Sequence, residues 1–137
     1  MQELFQQTVI SDYIFAKSKL FARTNLKDDE YDLFQKLFDI IDLHLPPPDV
    51  LIYLHAPVQR LQKNIHARGR SYEQTIPDEY LGRVQQTYQQ YLKQDMCKTI
   101  IVDMEEADFI TNPKHFESLI SFLDRDYDFH THYLALQ

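Results

Sequence analysis

Glycine is almost missing from this chain: Gly69 and Gly82 are the only two in 137 residues. A phosphate-cradling loop of the G-x-x-x-x-G-K-[ST] kind needs two close glycines whose backbone N–H groups can wrap an anion. These two lie thirteen positions apart, so the 137 residues hold no such loop. Cysteine is scarcer still. Cys97 stands alone, which excludes a disulfide framework and leaves an inert thiol as the plain reading. No apolar run approaches the ~20 residues of a membrane span. The opening Met1-Gln2-Glu3-Leu4 lacks the charged-then-apolar pattern of a signal peptide, so a cytoplasmic protein is expected. Positive charge is in deficit. A net charge of −7 repels nucleic-acid backbones, although a local basic cluster can still hold a small anion.

What is present reads as one globular domain, residues 1–137, with 44% apolar residues. The run Thr8-Val9-Ile10-Ser11-Asp12 reads as a short buried strand, followed by a helix over 13–23. Asp28, Asp29 and Glu30 mark a helix start, because acids favour the positive end of the helix dipole. Leu33, Phe34, Leu37, Phe38, Ile41 and Leu45 continue it at helical spacing until Pro46-Pro47-Pro48. Asp49–His55 is nearly continuous in apolar residues, as a strand buried on both faces would be. Pro57 opens a helix running to Arg68, and Pro77 opens another that carries Tyr80, Leu81, Val84, Tyr88, Tyr91 and Leu92 on one face. Residues 98–103 read as a third strand. Asn112 and Pro113 start a last helix with Phe116, Leu119, Ile120 and Leu123, and the tail 124–137 is assigned little structure. Strands alternating with helices predict an α/β fold with a parallel sheet, three strands and flanking helices, thin enough to be the later part of a larger doubly wound domain.

The lid-like stretch 68–77 concentrates chemistry. Arg68 and Arg70 flank Gly69, and Glu73 follows. Arginine is a planar, permanently charged fork suited to phosphate oxygens, and Gly69 permits a sharp turn between the two. A solvated helix end is the plainer alternative. In open parallel sheets ligands bind beyond the carboxyl ends of the strands. Ser11-Asp12, His55 and the segment from Asp103 to Asp108-Phe109 fall there. The lid follows a helix, so it reaches such a ligand only if that helix continues upward or the loop folds over. Asp12 also reads as a strand end or a helix cap, Glu73 as a solvated residue and His55 as a strand end. His130 and His132 lack partners at metal-ligand spacing, so no metal site is expected.

Val9-Ile10-Ser11-Asp12-Tyr13-Ile14-Phe15-Ala16, then Pro48-Asp49…Ile52-Tyr53-Leu54, then Arg68-Gly69-Arg70…Glu73-Gln74…Ile76-Pro77…Tyr80-Leu81, then Val102-Asp103…Asp108-Phe109, resemble the deoxyribonucleoside kinase family. The bacterial deoxyadenosine/deoxyguanosine kinases are the nearest in flavour. The resemblance covers roughly residues 6–123, and the arginine lid is its specific part. It implies a P-loop fold with a five-stranded parallel sheet, transfer of the ATP γ-phosphoryl to the 5′-hydroxyl of a purine deoxyribonucleoside, and a homodimer without nucleic-acid or membrane partners. By the same resemblance Arg68 and Arg70 act on the transferring phosphoryl, Glu73 receives the sugar hydroxyl, Asp12 the base edge, and Asp108 and Phe109 lie near the adenine of ATP.

The sequence departs from the family in two places. The usual Glu-Arg-Ser triplet falls on Gln6-Gln7-Thr8, and no P-loop is present. The resemblance therefore implies a C-terminal portion, with the P-loop strand and a general-base carboxylate expected before Met1, ATP and Mg²⁺ bound only by the intact domain, and no activity from this chain alone. The alternatives are a non-catalytic remnant serving as a dimerisation or binding module, and a thymidylate-kinase-like fragment.

Overall fold

The computed structural model describes residues 9–94, 97–123, 125–128 and 130–136. The chain divides into two compact units, Met1–Leu45 and Pro46–Gln137.

In the first unit, helix α1 spans Ala16–Asn25 and α2 spans Asp28–Asp42. The three acids at 28–30 occupy the first turn of α2 as expected, and the Glu30 carboxylate accepts the Lys27 backbone N–H at 3.0 Å. The helices meet through aromatic rings: Phe15 and Phe38 stack with centroids 4.4 Å apart, and Phe34 approaches Phe38 at 6.0 Å. Lys19 pairs with Asp39 at 3.3 Å.

The strand expected over 8–12 does not form at residues 9–12, and Thr8 lies outside the described residues. A strand is stabilised by a ladder with a neighbour, and an apolar run without one has no reason to extend. Val9 and Ile10 are instead 65% and 85% exposed. The Ser11 hydroxyl folds the chain locally, donating to the Tyr13 carbonyl at 2.8 Å.

The second unit is a parallel three-stranded sheet. Strands β1 (Val50–His55), β2 (Lys98–Asp103) and β3 (Thr131–Ala135) lie in that order. His55 is level with Asp103, and Asp103 with Ala135. Helices α3 (Val58–Arg68) and α4 (Asp78–Leu92) connect β1 to β2, and α5 (Pro113–Leu123) lies between β2 and β3. Successive side chains alternate across a strand. Ile100 and Val102 are fully buried and pack with Phe122 of α5, joined by Ile52, Leu119, Tyr127 and Leu134. On the opposite face Tyr53 stacks on Tyr88 of α4 at 5.5 Å.

Two expectations are corrected. Asp49–His55 is not buried on both faces. Among the described residues β1 is an edge strand, with Val50 and Leu54 40% and 50% exposed, and the doubly buried strand is β2. The tail is not without structure, because residues 131–135 add a strand beside β2. Its alternation explains why: Leu134 enters the core, His132 lies against the Tyr127 ring at 4.9 Å, and Tyr133 is 77% exposed.

Candidate functional site

The site is built on α3, whose last turn ends at Arg68. Gly69 closes it in the left-handed conformation, φ 71° and ψ 17°, with its amide donating to the Ile65 carbonyl at 3.3 Å. A short 3₁₀ turn, Ser71–Glu73, follows. Two glutamines tie the loop to α3. Gln74 Nε2 donates to the carbonyls of Ile65 at 3.0 Å and Arg70 at 3.2 Å, and Gln62 Nε2 donates to that of Ile76 at 2.7 Å. The loop is therefore a folded object with its own hydrogen bonds.

This folding brings three of the expected residues together. Arg68 Nη2 donates to Glu73 Oε2 at 2.5 Å, and Arg70 Nη1 donates to Glu73 Oε1 at 3.3 Å. The carboxylate is 13% exposed, while the two guanidinium side chains are 50% and 52% exposed. Two cations thus share one anion, which leaves the cluster with a positive charge and free N–H donors facing water. The hydrogen bond to Glu73, together with the field of Tyr72, holds Arg70 even more firmly protonated than an ordinary arginine. Such a cluster can receive phosphate oxygens.

The lid stands beyond the carboxyl end of β1. Gln85, midway along α4, donates to the carbonyl of Ala56, just past the end of β1, at 2.5 Å. Tyr88 stacks on Tyr53 one turn further on, so α4 descends along the sheet from Gln85. The residues from Asp78 to Gln85, about 10 Å of helix at 1.5 Å per residue, therefore stand beyond the carboxyl end of β1, and the lid precedes them.

At the same end, the β2–α5 loop is organised around Asp108. Its carboxylate accepts the backbone N–H groups of Ile110 at 3.0 Å and Thr111 at 2.9 Å, and also the Thr111 hydroxyl. The Thr111 hydroxyl first, and the two amides after it, hold the Asp108 carboxyl below the usual carboxylate range. The Asp108 amide donates to His115 Nδ1 at 3.0 Å. Phe109 is 37% exposed. Sequence reading missed Arg60, which donates to the Ala107 carbonyl at 2.6 Å across 47 residues of chain. Asp12 is exposed and belongs to the first unit.

A cavity of about 740 Å³ runs along the α4 side of the sheet, lined by Tyr53, His55, Leu92, Asp103, His130 and Tyr133 among others. The lid arginines do not line it. Burial pushes the Tyr53 hydroxyl and the Cys97 thiol up, which disfavours the thiolate at Cys97. Among the described residues no group of three His, Cys, Asp or Glu side chains could hold a metal ion, and no helix is long and apolar enough to cross a membrane.

Comparison with known proteins points the same way as the lid. A family model described as deoxynucleoside kinase matches residues 2–125. The chain is 31% identical over 118 residues to a deoxyguanosine kinase of Bacillus subtilis (strain 168), covering 82% of this chain and 57% of that protein. It is 25% identical over 138 residues to a deoxyadenosine kinase of Lactobacillus acidophilus, covering 90% and 64%, and 31% identical over 111 residues to a deoxycytidine kinase of Mus musculus, covering 78% and 42%. The chain thus spans about half the length of these relatives.

Proposed function

The chain belongs to the deoxynucleoside kinase family, and from that premise we propose that it carries the lid and substrate-contacting part of a kinase domain that moves the ATP γ-phosphoryl to the 5′-hydroxyl of a purine deoxyribonucleoside. The observation that carries this reading is the convergence of Arg68 and Arg70 on Glu73, in a loop that precedes the part of α4 standing beyond the carboxyl end of β1. Phosphoryl transfer is mostly positioning and neutralisation of charge on the equatorial oxygens, which two guanidinium forks supply. Glu73 has lone pairs left to accept a sugar hydroxyl while it holds both arginines. Asp12 is assigned to the base edge, and the Asp108-Phe109 loop to the adenine of ATP. The purine preference is drawn from the names of the two bacterial relatives. The reading carries with it a cytoplasmic homodimer.

The lid donors fit the phosphates of ATP. Among the described residues no group of three His, Cys, Asp or Glu side chains could hold Mg²⁺, and no step is assigned to it. Because the 137 residues contain no glycine-rich phosphate loop, the chain by itself is proposed not to turn over ATP. An assay with ATP-Mg²⁺ and each deoxyribonucleoside tests that part, and steady phosphorylation above a buffer blank overturns it. A chimera joining this chain to a P-loop-bearing segment tests the rest: transfer to purine deoxyribonucleosides is expected. A folded chimera without transfer leaves the second reading, a non-catalytic binding or dimerisation module.

A further inference from the structure

Arg60 is the third residue of α3, in the turn where the helix dipole is positive and where acidic residues are absent. A cation there opposes its local electrostatics, and such local conflicts gather at functional positions. Nor does a carboxylate compensate it. Arg23, Arg68, Arg70 and Arg83 all form ion pairs, whereas among the described residues Arg60 has no acidic group within 4.0 Å. Its recorded partner is the buried Ala107 carbonyl at 2.6 Å, a short charge-assisted bond in a partly buried setting.

The residue after Ala107 begins the Asp108 turn, whose own bonds, among the described residues, reach Ile110, Thr111, Asn112 and His115. Those bonds shape the loop and pin it to α5. Among the described residues the Arg60 bond is the hydrogen bond that pins it to α3. One helix therefore holds the loop by its first turn and carries Arg68 of the lid on its last, about 12 Å away at 1.5 Å per residue.

We propose that Arg60 is a positioning residue for nucleotide binding: it holds the 107–111 loop against the first turn of α3, at the place where that loop meets the base of the nucleotide. This rests on the proposed assignment of Asp108 and Phe109 to adenine. Arg60 acts through the loop and needs no contact with ATP itself.

Amide hydrogen exchange on the chain joined to a P-loop-bearing segment, with and without millimolar ATP, tests the proposal in wild type, Arg60→Met and Arg60→Lys. ATP is expected to slow exchange at Phe109, Ile110 and Thr111 in wild type. Arg60→Met is expected to raise basal exchange there by about tenfold, the scale of one charge-assisted hydrogen bond. It should also abolish the ATP effect while the β2 amides stay protected. Arg60→Lys, which keeps a charged donor without the fork, should recover part of both. If Arg60→Met does not fold, Arg60→Gln, too short to reach the carbonyl, takes its place. A variant that keeps the wild-type ATP effect overturns the Arg60 inference and leaves the loop assignment standing. A wild type in which ATP leaves the loop unchanged overturns both.

Discussion

Gly69 donates its amide to the Ile65 carbonyl at 3.3 Å while holding φ at 71°, and this one bond turns α3 into the lid. No heavy atom beyond its immediate neighbours lies within 4 Å of where a Cβ would stand, so glycine is needed for the backbone conformation and not for space. Gly82 has the same open surroundings but sits inside α4. The same substitution should therefore have opposite signs at the two sites. Gly69→Ala is expected to cost about 1–2 kcal/mol, the left-handed penalty of an L-residue. Gly82→Ala is expected to gain about 0.5–1 kcal/mol of helix propensity. Urea unfolding of both variants checks this, and equal signs would refute the assigned conformation.

The tail strand makes its own prediction. Leu134 packs in the core beside Val102, whereas Tyr133 is 77% exposed. Leu134→Ala should cost about 2–5 kcal/mol at full burial, and less to the extent that its burial is partial. Tyr133→Ala should stay within about 0.5 kcal/mol. Equal small effects in thermal unfolding would mean that 131–135 does not join the sheet.

The boundaries of α3, α4 and α5 were legible because Pro57, Pro77 and Pro113 mark them, and those of β2 because its apolar run is compact. The pairing of strands was not. Whether Val9-Ile10 extends, or Thr131–Ala135 does, depends on a partner strand remote in sequence. Both runs carry β-forming residues, and only the second finds a ladder, against Thr99–Asp103. Composition also disguised β3, since His132 and Tyr133 read as polar and aromatic tail. At the site, the Arg-Gly-Arg…Glu spacing announced a cluster that local turns alone can build. The Arg60–Ala107 bond spans 47 positions and leaves a single local trace, a cation at the wrong end of a helix.

Acid should loosen the β2–α5 loop later than an ordinary aspartate would allow. The Asp108 carboxyl is depressed in the folded chain, chiefly by the Thr111 hydroxyl. Its contribution is present above the unfolded aspartate value of about 3.9 and is lost only as pH falls through the lower folded value. The Thr111 amide shift, followed by NMR from neutral pH downward, should keep its position through about pH 4. Asp108→Asn should remove the titration. A midpoint at the ordinary aspartate value would contradict the capping role.

Association is expected at tens of micromolar, where exposed apolar surface drives contact. The outer edge of β1 is unpaired among the described residues, and Val50 and Leu54 are substantially exposed on it. The Tyr88 ring, by contrast, is stacked on Tyr53 of the sheet. Sedimentation showing a clean monomer would count against association.

The lid itself is best tested in the chimera with a P-loop-bearing segment. Arg68 and Arg70 already share Glu73 in the free chain, so entering phosphate oxygens would compete with a carboxylate that each arginine holds through one recorded bond. Charge spreads over the phosphoryl oxygens in the transition state, and an interaction stronger there than in the ground state appears in kcat. Arg70→Ala should therefore lower kcat by roughly 10³-fold, the scale seen when a cis or trans arginine leaves a phosphoryl-transfer site, with a small effect on the KM for nucleoside. Arg70→Lys keeps the charge and loses the planar fork, so partial recovery is expected. Glu73→Gln should act differently. It weakens a contact to the sugar that exists in both states, which raises KM, and it frees both arginines from their shared anion. Steady-state kinetics on the three variants decide. If Arg70→Ala left kcat within about threefold (~0.65 kcal/mol in barrier), the arginine would not meet the transferring phosphoryl, and the Arg68-Gly69-Arg70 turn would be a solvated helix end paired with Glu73.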